Sequence, residues 1–276
     1  MSLNSVNTNA GAMVALQSLN RTNDALNVTQ KRISTGFRVN DAKDDGAAFA
    51  VAQSVRADVA GLTAANEQLG GVKGILDTAL SGLNKVSETM VKVRETLVRL
   101  ADDTLNANQR TQYEAQYTAL QTQITNFITD ATYNGRTLLS TAAPAGGDID
   151  TTRNESGTTY TLTAVDGAGT LIVAAAPTTA ATAQAALASG GDFETVQSAI
   201  SDALNTFGSD ARYIDNQIAY NKDKADALES GLGALIDADL AKESARLQSL
   251  QIRQQLGTQA LSIANQAPQT LLSLFR

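Results

Sequence analysis

From Leu62 to Leu100, apolar residues recur at alternating steps of three and four without a break. They are Leu62, Ala65, Leu69, Val72, Leu76, Ala79, Leu83, Val86, Met90, Val93, Leu97 and Leu100. This spacing places them on one stripe of an α-helix and on no single face of a strand. Extended back to Asp44, such a helix is about 85 Å long at 1.5 Å per residue, against about 8–20 residues for ordinary globular helices. A stripe that long needs partners of similar length, so the chain is constrained to a helical rod. Two further segments supply them. One carries Tyr113, Tyr117, Leu120, Ile124, Phe127 and Ala131, and the other Phe193, Val196, Ile200, Ala203, Phe207, Ile214, Ile218, Ala225, Leu228 and Leu232. The expected rod-packing residues are Leu69, Leu76, Leu83, Met90, Leu97, Tyr117, Ile124, Ile200, Phe207 and Ile214.

Local signals divide these helices. Asp102, Asp103 and Thr104 read as the caps that open the second, and Asn134-Gly135 as the turn that ends it. Gly70, Gly71, Gly74 and Gly82 each cost about 1 kcal/mol relative to Ala, and are read as close-packing or bending positions. Gly231 and Gly233 are expected to loosen the chain before the last helix.

Both ends of the chain have the character of enclosed helices. Asp237–Arg276 carries two apolar rows. One is Leu240, Leu247, Leu261 and Phe275, with Leu250, Ala264 and Leu271 interleaved. The other is Ala245, Ile252, Leu256, Ala260 and Ile263. From Leu247 to Phe275 the only ionisable side chain is Arg253, whereas a solvated helix carries Lys and Glu on its outer face. At the front, Ser2–Asn20 has no charged residue, and a helix is expected from about Val6 to Ile33, stopped by Ser34-Thr35-Gly36. Ala12, Ala15, Leu19, Thr22, Leu26, Thr29 and Ile33 form its heptad seam. Pairing of the two ends with each other would cover one row on each and leave the rest bare. The alternative is that many copies pack their ends together.

Composition excludes several classes of function. The chain has no Cys and no His, which removes thiol chemistry, the commonest general base and the commonest metal ligand. Neither an enzymatic activity nor a cofactor is expected. A net charge of −7 argues against nucleic-acid binding. No run is apolar enough to insert in a membrane, and the front lacks the pattern of a secretory signal. The stretch Phe37–Gly46 contains DAKDDG, but a calcium loop starting at Asp41 would place Lys43 and Ala52 at ligand positions.

Residues 137–191 are rich in Thr, Ala and Gly. Tyr160–Val165 and Thr170–Ala174, joined by Asp166-Gly167-Ala168-Gly169, read as a β-hairpin. The segment is too poor in large apolar residues for a second core and is expected to be a small surface excursion. The fold class is therefore mainly α: an elongated antiparallel helical bundle, or coiled-coil rod, with paired terminal helices and a small β-hairpin excursion. Its expected segments are 1–36, 37–46, 47–136, 137–191, 192–230 and 231–276.

These residues resemble bacterial flagellin at both ends. The resemblance is carried by Val6-Asn7-Thr8-Asn9, Leu16–Leu26, Arg32-Ile33-Ser34-Thr35-Gly36 and Arg38–Asp45. At the other end it is carried by Asp237–Glu243, Gln251–Gln255, Ala264–Gln269 and Leu271–Arg276. It implies a structural subunit that polymerises into the helical flagellar filament for swimming motility, the alternative being the hook–filament junction protein. In those terms 1–36 is an N-terminal inner-tube helix, 37–46 a spoke, and 47–136 with 192–230 the rod. Residues 231–276 are a connector and the C-terminal inner-tube helix. The short 137–191 excursion stands where larger flagellins carry outer domains. Inner-tube assembly is assigned to Leu16, Leu19, Leu26, Ile33, Leu247, Leu250, Ile252, Leu256, Leu261, Leu271, Leu274 and Phe275.

The resemblance also implies partners: other copies of the chain, the flagellar export apparatus, an export chaperone, the filament cap and the hook–filament junction proteins. Localisation would be extracellular, through the flagellar type III system without a cleaved signal peptide. Thr151, Thr152, Ser156, Thr158 and Thr159 are candidate O-glycosylation sites, a plain polar loop being the alternative. Lys92-Val93-Arg94-Glu95 is similar to the run read by the innate immune receptor for flagellins. Thr96 replaces the Leu that follows it there, which implies weak recognition.

Overall fold

A computed structural model describes residues 8–273, with side chains described through residue 266. Nine elements follow in order among the described residues: α1 (Ala10–Thr35), α2 (Gly46–Leu100), α3 (Ala107–Asp130), β1 (Ile149–Thr152), β2 (Thr159–Leu162), α4 (Gly167–Thr170), α5 (Ala180–Leu187), α6 (Asp192–Ile236) and α7 (Leu240–Ser273). The chain divides into two compact units. One comprises Met1–Ala57 and Ala227–Arg276, the other Asp58–Asp226.

Within Asp58–Asp226, the three-four stripe of α2 is buried throughout, from Leu62 to Leu100. Its glycines do not break it, because a helix clamped along one face by apolar packing tolerates their cost. Two of them are close-packing positions. A Cβ at Gly82 would stand 2.8 Å from the Ala131 Cβ, and one at Gly74 would stand 2.9 Å from the Tyr133 ring. Gly70 and Gly71 face open space, so neither is a close-packing position. The helix α3 returns antiparallel to α2, with the Arg99 guanidinium 5.6 Å over the Tyr113 ring. So does α6, with Arg94 over Phe193 and Lys73 paired with Asp215. Leu69, Leu76, Leu83, Met90, Leu97, Tyr117, Ile124, Ile200, Phe207 and Ile214 all lie in one core.

Several local expectations are corrected. Asp102 does not cap α3; its carboxylate accepts from Thr104 N and Oγ1 in a tight turn. The cap is Asn106, in a reciprocal box with Gln109. The helix ends at Asp130, and Asn134-Gly135 forms a separate turn, both residues at positive φ, closed by the Tyr133–Arg136 bridge. The hairpin lies earlier than expected. β1 pairs antiparallel with β2, Ile149 opposite Leu162, while Asp166–Thr170 forms a single capped helical turn. The first strand has little apolar alternation, because Ile149-Asp150-Thr151-Thr152 offers one large apolar residue. Nor is the segment a surface excursion. Leu138, Leu139, Ile149, Leu162, Leu171, Val173 and Ala183 join the same core as the three long helices. Gly231 and Gly233 remain inside α6, which stops only at Ile236.

In the other unit, α1 is capped by Asn9, whose side chain accepts from Ala12 N, and ends at Gly36 with φ of 77°. Val6, the expected start, lies outside the described residues. The two connectors pair: Phe37 bridges Asp237, Arg38 N and Val39 N donate to the Ile236 carbonyl, and Ala238 N donates to that of Gly36. Val39, Ala48, Ala52 and Ile236 form a small core beneath them.

Candidate assembly surface

The terminal helices α1 and α7 lie antiparallel, and their inner faces follow a heptad rule. On α1 the seam positions Ala12, Ala15, Leu19, Thr22, Leu26, Thr29 and Ile33 are all buried or half-buried, as are Asn23, Ala25, Lys31 and Arg32 beside them. On α7 they are Glu243, Leu247, Leu250, Gln254, Gly257, Leu261 and Ala264, again at steps of three and four. Gly257 makes room for Leu19, since a Cβ there would stand 3.2 Å from Leu19 Cδ1. Polar pairs cross the seam along its length. Arg32 Nη1 meets Glu243 Oε1 at 3.2 Å, Gln254 Nε2 donates to Asn23 Oδ1 at 2.8 Å, and Asn9 Nδ2 donates to the Ala264 carbonyl at 2.7 Å.

The second apolar row of α7 has no cover from α1. Ile252 is 58% exposed, Leu256 62% and Ile263 63%. On α1, Met13, Val14, Leu16 and Val28 are likewise exposed. The residues assigned to the inner tube thus fall into two groups. Leu19, Leu26, Ile33, Leu247, Leu250 and Leu261 lie in the seam between the two helices. Leu16, Ile252 and Leu256 point away from it. Leu274, Phe275 and the side chain of Leu271 lie outside the described residues. Leu240, grouped with the seam in the sequence, is exposed; it opens α7 beside its cap Asp239, and the inward place at that level goes to Glu243. The polar half of the seam (Asn9, Asn23, Arg32, Glu243, Gln254) escapes a search for apolar periodicity. The seven-residue intervals Glu243, Leu250, Gly257, Ala264 and Leu247, Gln254, Leu261 mark the two polar members on α7.

The DAKDDG stretch is structural. Lys31 Nζ reaches Asp41 Oδ2 at 2.6 Å and Asp44 Oδ2 at 3.4 Å. Asp44 also accepts from Asn40 N and Asp41 from Lys43 N, and Asp45 accepts from Ala47 N and Ala48 N to cap α2. The Lys31 ammonium, then the Lys43 N–H, hold the Asp41 carboxyl below its ordinary range, and the Asn40 N–H does the same chiefly for Asp44. These carboxylates are occupied as helix and loop acceptors.

Of the candidate glycosylation residues, Thr151 is corrected. It is 3% exposed in β1 and faces the core, so the folded chain offers no access to its hydroxyl. Thr152 is half-buried, and Ser156, Thr158 and Thr159 are exposed. In the Lys92–Glu95 run, Lys92, Arg94 and Glu95 are exposed while Thr96 is buried, its Oγ1 donating to the Lys92 carbonyl at 2.9 Å. The departure at position 96 therefore lies in the core and makes no direct surface contact. No helix among the described residues is long and apolar enough to cross a membrane.

Comparison with known proteins covers both ends. The bacterial flagellin N-terminal helical region matches residues 6–144, and the bacterial flagellin C-terminal helical region matches residues 193–275. Flagellin FljM of Caulobacter vibrioides is 37% identical over 280 residues, covering 100% of both chains. A flagellin of Brucella melitensis is 35% identical over 290 residues, covering 99% of each. The crystal structure of Bacillus cereus flagellin superposes with a TM-score of 0.50 at 25% identity, covering 56% of this chain and 88% of that one.

Proposed function

The chain belongs to the bacterial flagellin family and is a structural subunit of the flagellar filament, and from that premise we propose how it assembles. The α1–α7 pair is the inner-tube element. Its outward rows, Ile252, Leu256 and Ile263 on α7 with Met13, Val14 and Leu16 on α1, are covered by the same helices of neighbouring copies. The single observation that carries this reading is the α7 row, more than half exposed on a helix that from Leu247 onward carries one ionisable side chain, Arg253. Burial releases roughly 25 cal/mol per Å² of apolar area, against an ordering cost of about 1–2 kcal/mol per residue. One helix partner does not meet that cost, and several neighbours together do. Contacts that repeat head to tail without closing generate an open helical polymer.

In this reading 1–36 belongs to the tube, 231–276 is a connector followed by the second tube helix, 37–46 is the spoke, and 47–136 with 192–230 builds the rod around the 137–191 insertion. The rod residues Leu69 to Leu97, Tyr117, Ile124, Ile200, Phe207 and Ile214 hold the subunit itself together. The flagellar export apparatus, an export chaperone, the filament cap and the hook–filament junction proteins are the further partners, and type III export is the route outward. Flagellin relatives that match the chain over its whole length support the filament subunit over the junction protein. The lack of His and Cys and the family's structural role support a non-catalytic chain.

The test is seeded polymerisation, read by pelleting, of the full chain and of a chain lacking residues 1–30 and 237–276. Filaments from the full chain only, with ends protease-sensitive before assembly and protected afterwards, support the mechanism. Protected ends in a full chain that stays soluble would show that the two helices satisfy each other, and would sink it.

A further inference from the structure

The helix α7 runs from Leu240 to Ser273 and so passes through Pro268. Proline has no backbone N–H, so the carbonyl four residues earlier, that of Ala264, loses its helical donor. Ala264 is also an inward position of the α1–α7 seam. The donor it receives comes from the other end of the chain: Asn9 Nδ2, at 2.7 Å. The same Asn9 side chain presents Oδ1 to Ala12 N at 3.0 Å and so caps α1. One amide group thus fills an orphan donor at the start of α1 and an orphan acceptor inside α7. Doing both needs a side chain with an acceptor and a donor; Asn carries them on two separate atoms, so one caps α1 while the other reaches α7, and Asn is among the best caps.

We propose that Asn9 is a clasp that makes the helical continuation of α7 through Pro268 conditional on the docking of α1. Without α1, the Ala264 carbonyl has no donor from the helix and α7 ends before the proline. With α1 in place, the gap is closed and the segment beyond Pro268 continues in the helix. The two termini therefore order together. This deepens the assembly reading above and rests on it: a subunit whose two ends order as one unit presents its outward rows only when both helices are present.

The test is a double-mutant cycle in the full-length chain. Asn9→Asp keeps the capping acceptor, and its negative charge suits a helix N-terminus, but it removes the donor. Pro268→Ala returns a backbone N–H to the Ala264 carbonyl and makes an outside donor unnecessary. The expected result is that Asn9→Asp raises the critical concentration for seeded polymerisation about tenfold and removes amide-exchange protection over residues 265–273 in the filament. In the Pro268→Ala background the same change should have less than a twofold effect. An Asn9→Asp penalty equal in both backgrounds, or absent from the first, overturns the clasp. If Asn9→Asp alone forms no filament, recovery by Pro268→Ala supports it and failure to recover overturns it. A natural chain that never polymerises would count against the assembly reading alone. The cycle would then be read on amide exchange of 265–273 in the free chain, with the same two outcomes deciding.

Discussion

Asn221 in α6 is fully buried and donates its side-chain amide to Asn66 Oδ1 in α2 at 2.9 Å. The same amide donates to the Arg153 carbonyl at 2.9 Å, and Gln217 Nε2 completes the group by donating to Asn221 Oδ1. Two long helices and the β1–β2 turn are joined by one side chain. Truncation would leave Asn66 Oδ1 without this donor and the Arg153 carbonyl with Gln217 Nε2 alone, at 3.2 Å. Asn221→Ala should cost about 1–3 kcal/mol of stability. Equilibrium urea unfolding of the free subunit checks this; an unchanged midpoint would show that the network is ornamental.

The β1–β2 turn is also held by an ion pair, and this one is pH-dependent. Lys224 Nζ donates to Glu155 Oε1 at 2.5 Å. That hydrogen bond, followed by Glu155's own backbone N–H, holds the carboxyl below its ordinary 4.5. It also lifts the Lys224 ammonium above 10.5. A depressed carboxyl contributes stability that is present above pH 4.5 and lost as pH falls through its folded value. A raised lysine contributes below pH 10.5 and loses that contribution as pH rises past its folded value. The pair should therefore hold between those limits and weaken on acidification. Natural and Glu155→Gln chains should differ in stability at pH 7, and the difference should shrink as pH falls from 4.5 towards 3, followed by chemical denaturation. Parallel curves down to that pH would rule the pair out as a contributor.

The two groups of terminal residues should separate experimentally. Ile252→Asp and Leu256→Asp place a charge on the outward row and should block polymerisation while leaving unfolding of the rod core unchanged. Leu250→Asp places it in the seam, where Leu250 is 6% exposed, and should also abolish α1–α7 pairing. Light scattering after seeding reads the block to polymerisation, and protease protection of both ends in subunits bound to filament seeds distinguishes the two groups. Ile252→Asp filaments growing at the natural critical concentration would mean that this row faces solvent in the filament.

The glycines of α2 offer opposite signs from one substitution. Gly82→Ala sets a methyl 2.8 Å from the Ala131 Cβ and 3.1 Å from the Phe127 carbonyl oxygen, so it should destabilise by about 1–3 kcal/mol. Gly70→Ala meets nothing within 4 Å and should stabilise by up to about 1 kcal/mol through helix propensity. Thermal melts of the two free subunits decide it, and shifts in the same direction would refute the packing argument.

What could be read from the chain alone was set by local periodicity. The stripe Leu62–Leu100 is helical because three-four spacing of apolar residues has one geometric solution, and its burial follows from its length. The stop at Gly36 was legible for a similar reason, since a left-handed residue after a helix is a property of that residue. The Thr/Ala/Gly-rich segment has no such code. Thr170–Ala174 is as plausible a strand as Ile149–Thr152, and the choice was made by which residues could set Ile149, Leu162, Leu171 and Val173 against the rod core. The same holds for α7. Its two apolar rows are visible in the sequence, but which faces inward depends on α1, which admits Glu243 beside Arg32, Gln254 beside Asn23 and Gly257 beside Leu19. Local spacing determines that a helix exists and how its faces differ. Only the tertiary structure decides which face is covered, because a polar residue becomes an inward one when the opposite helix supplies its partner.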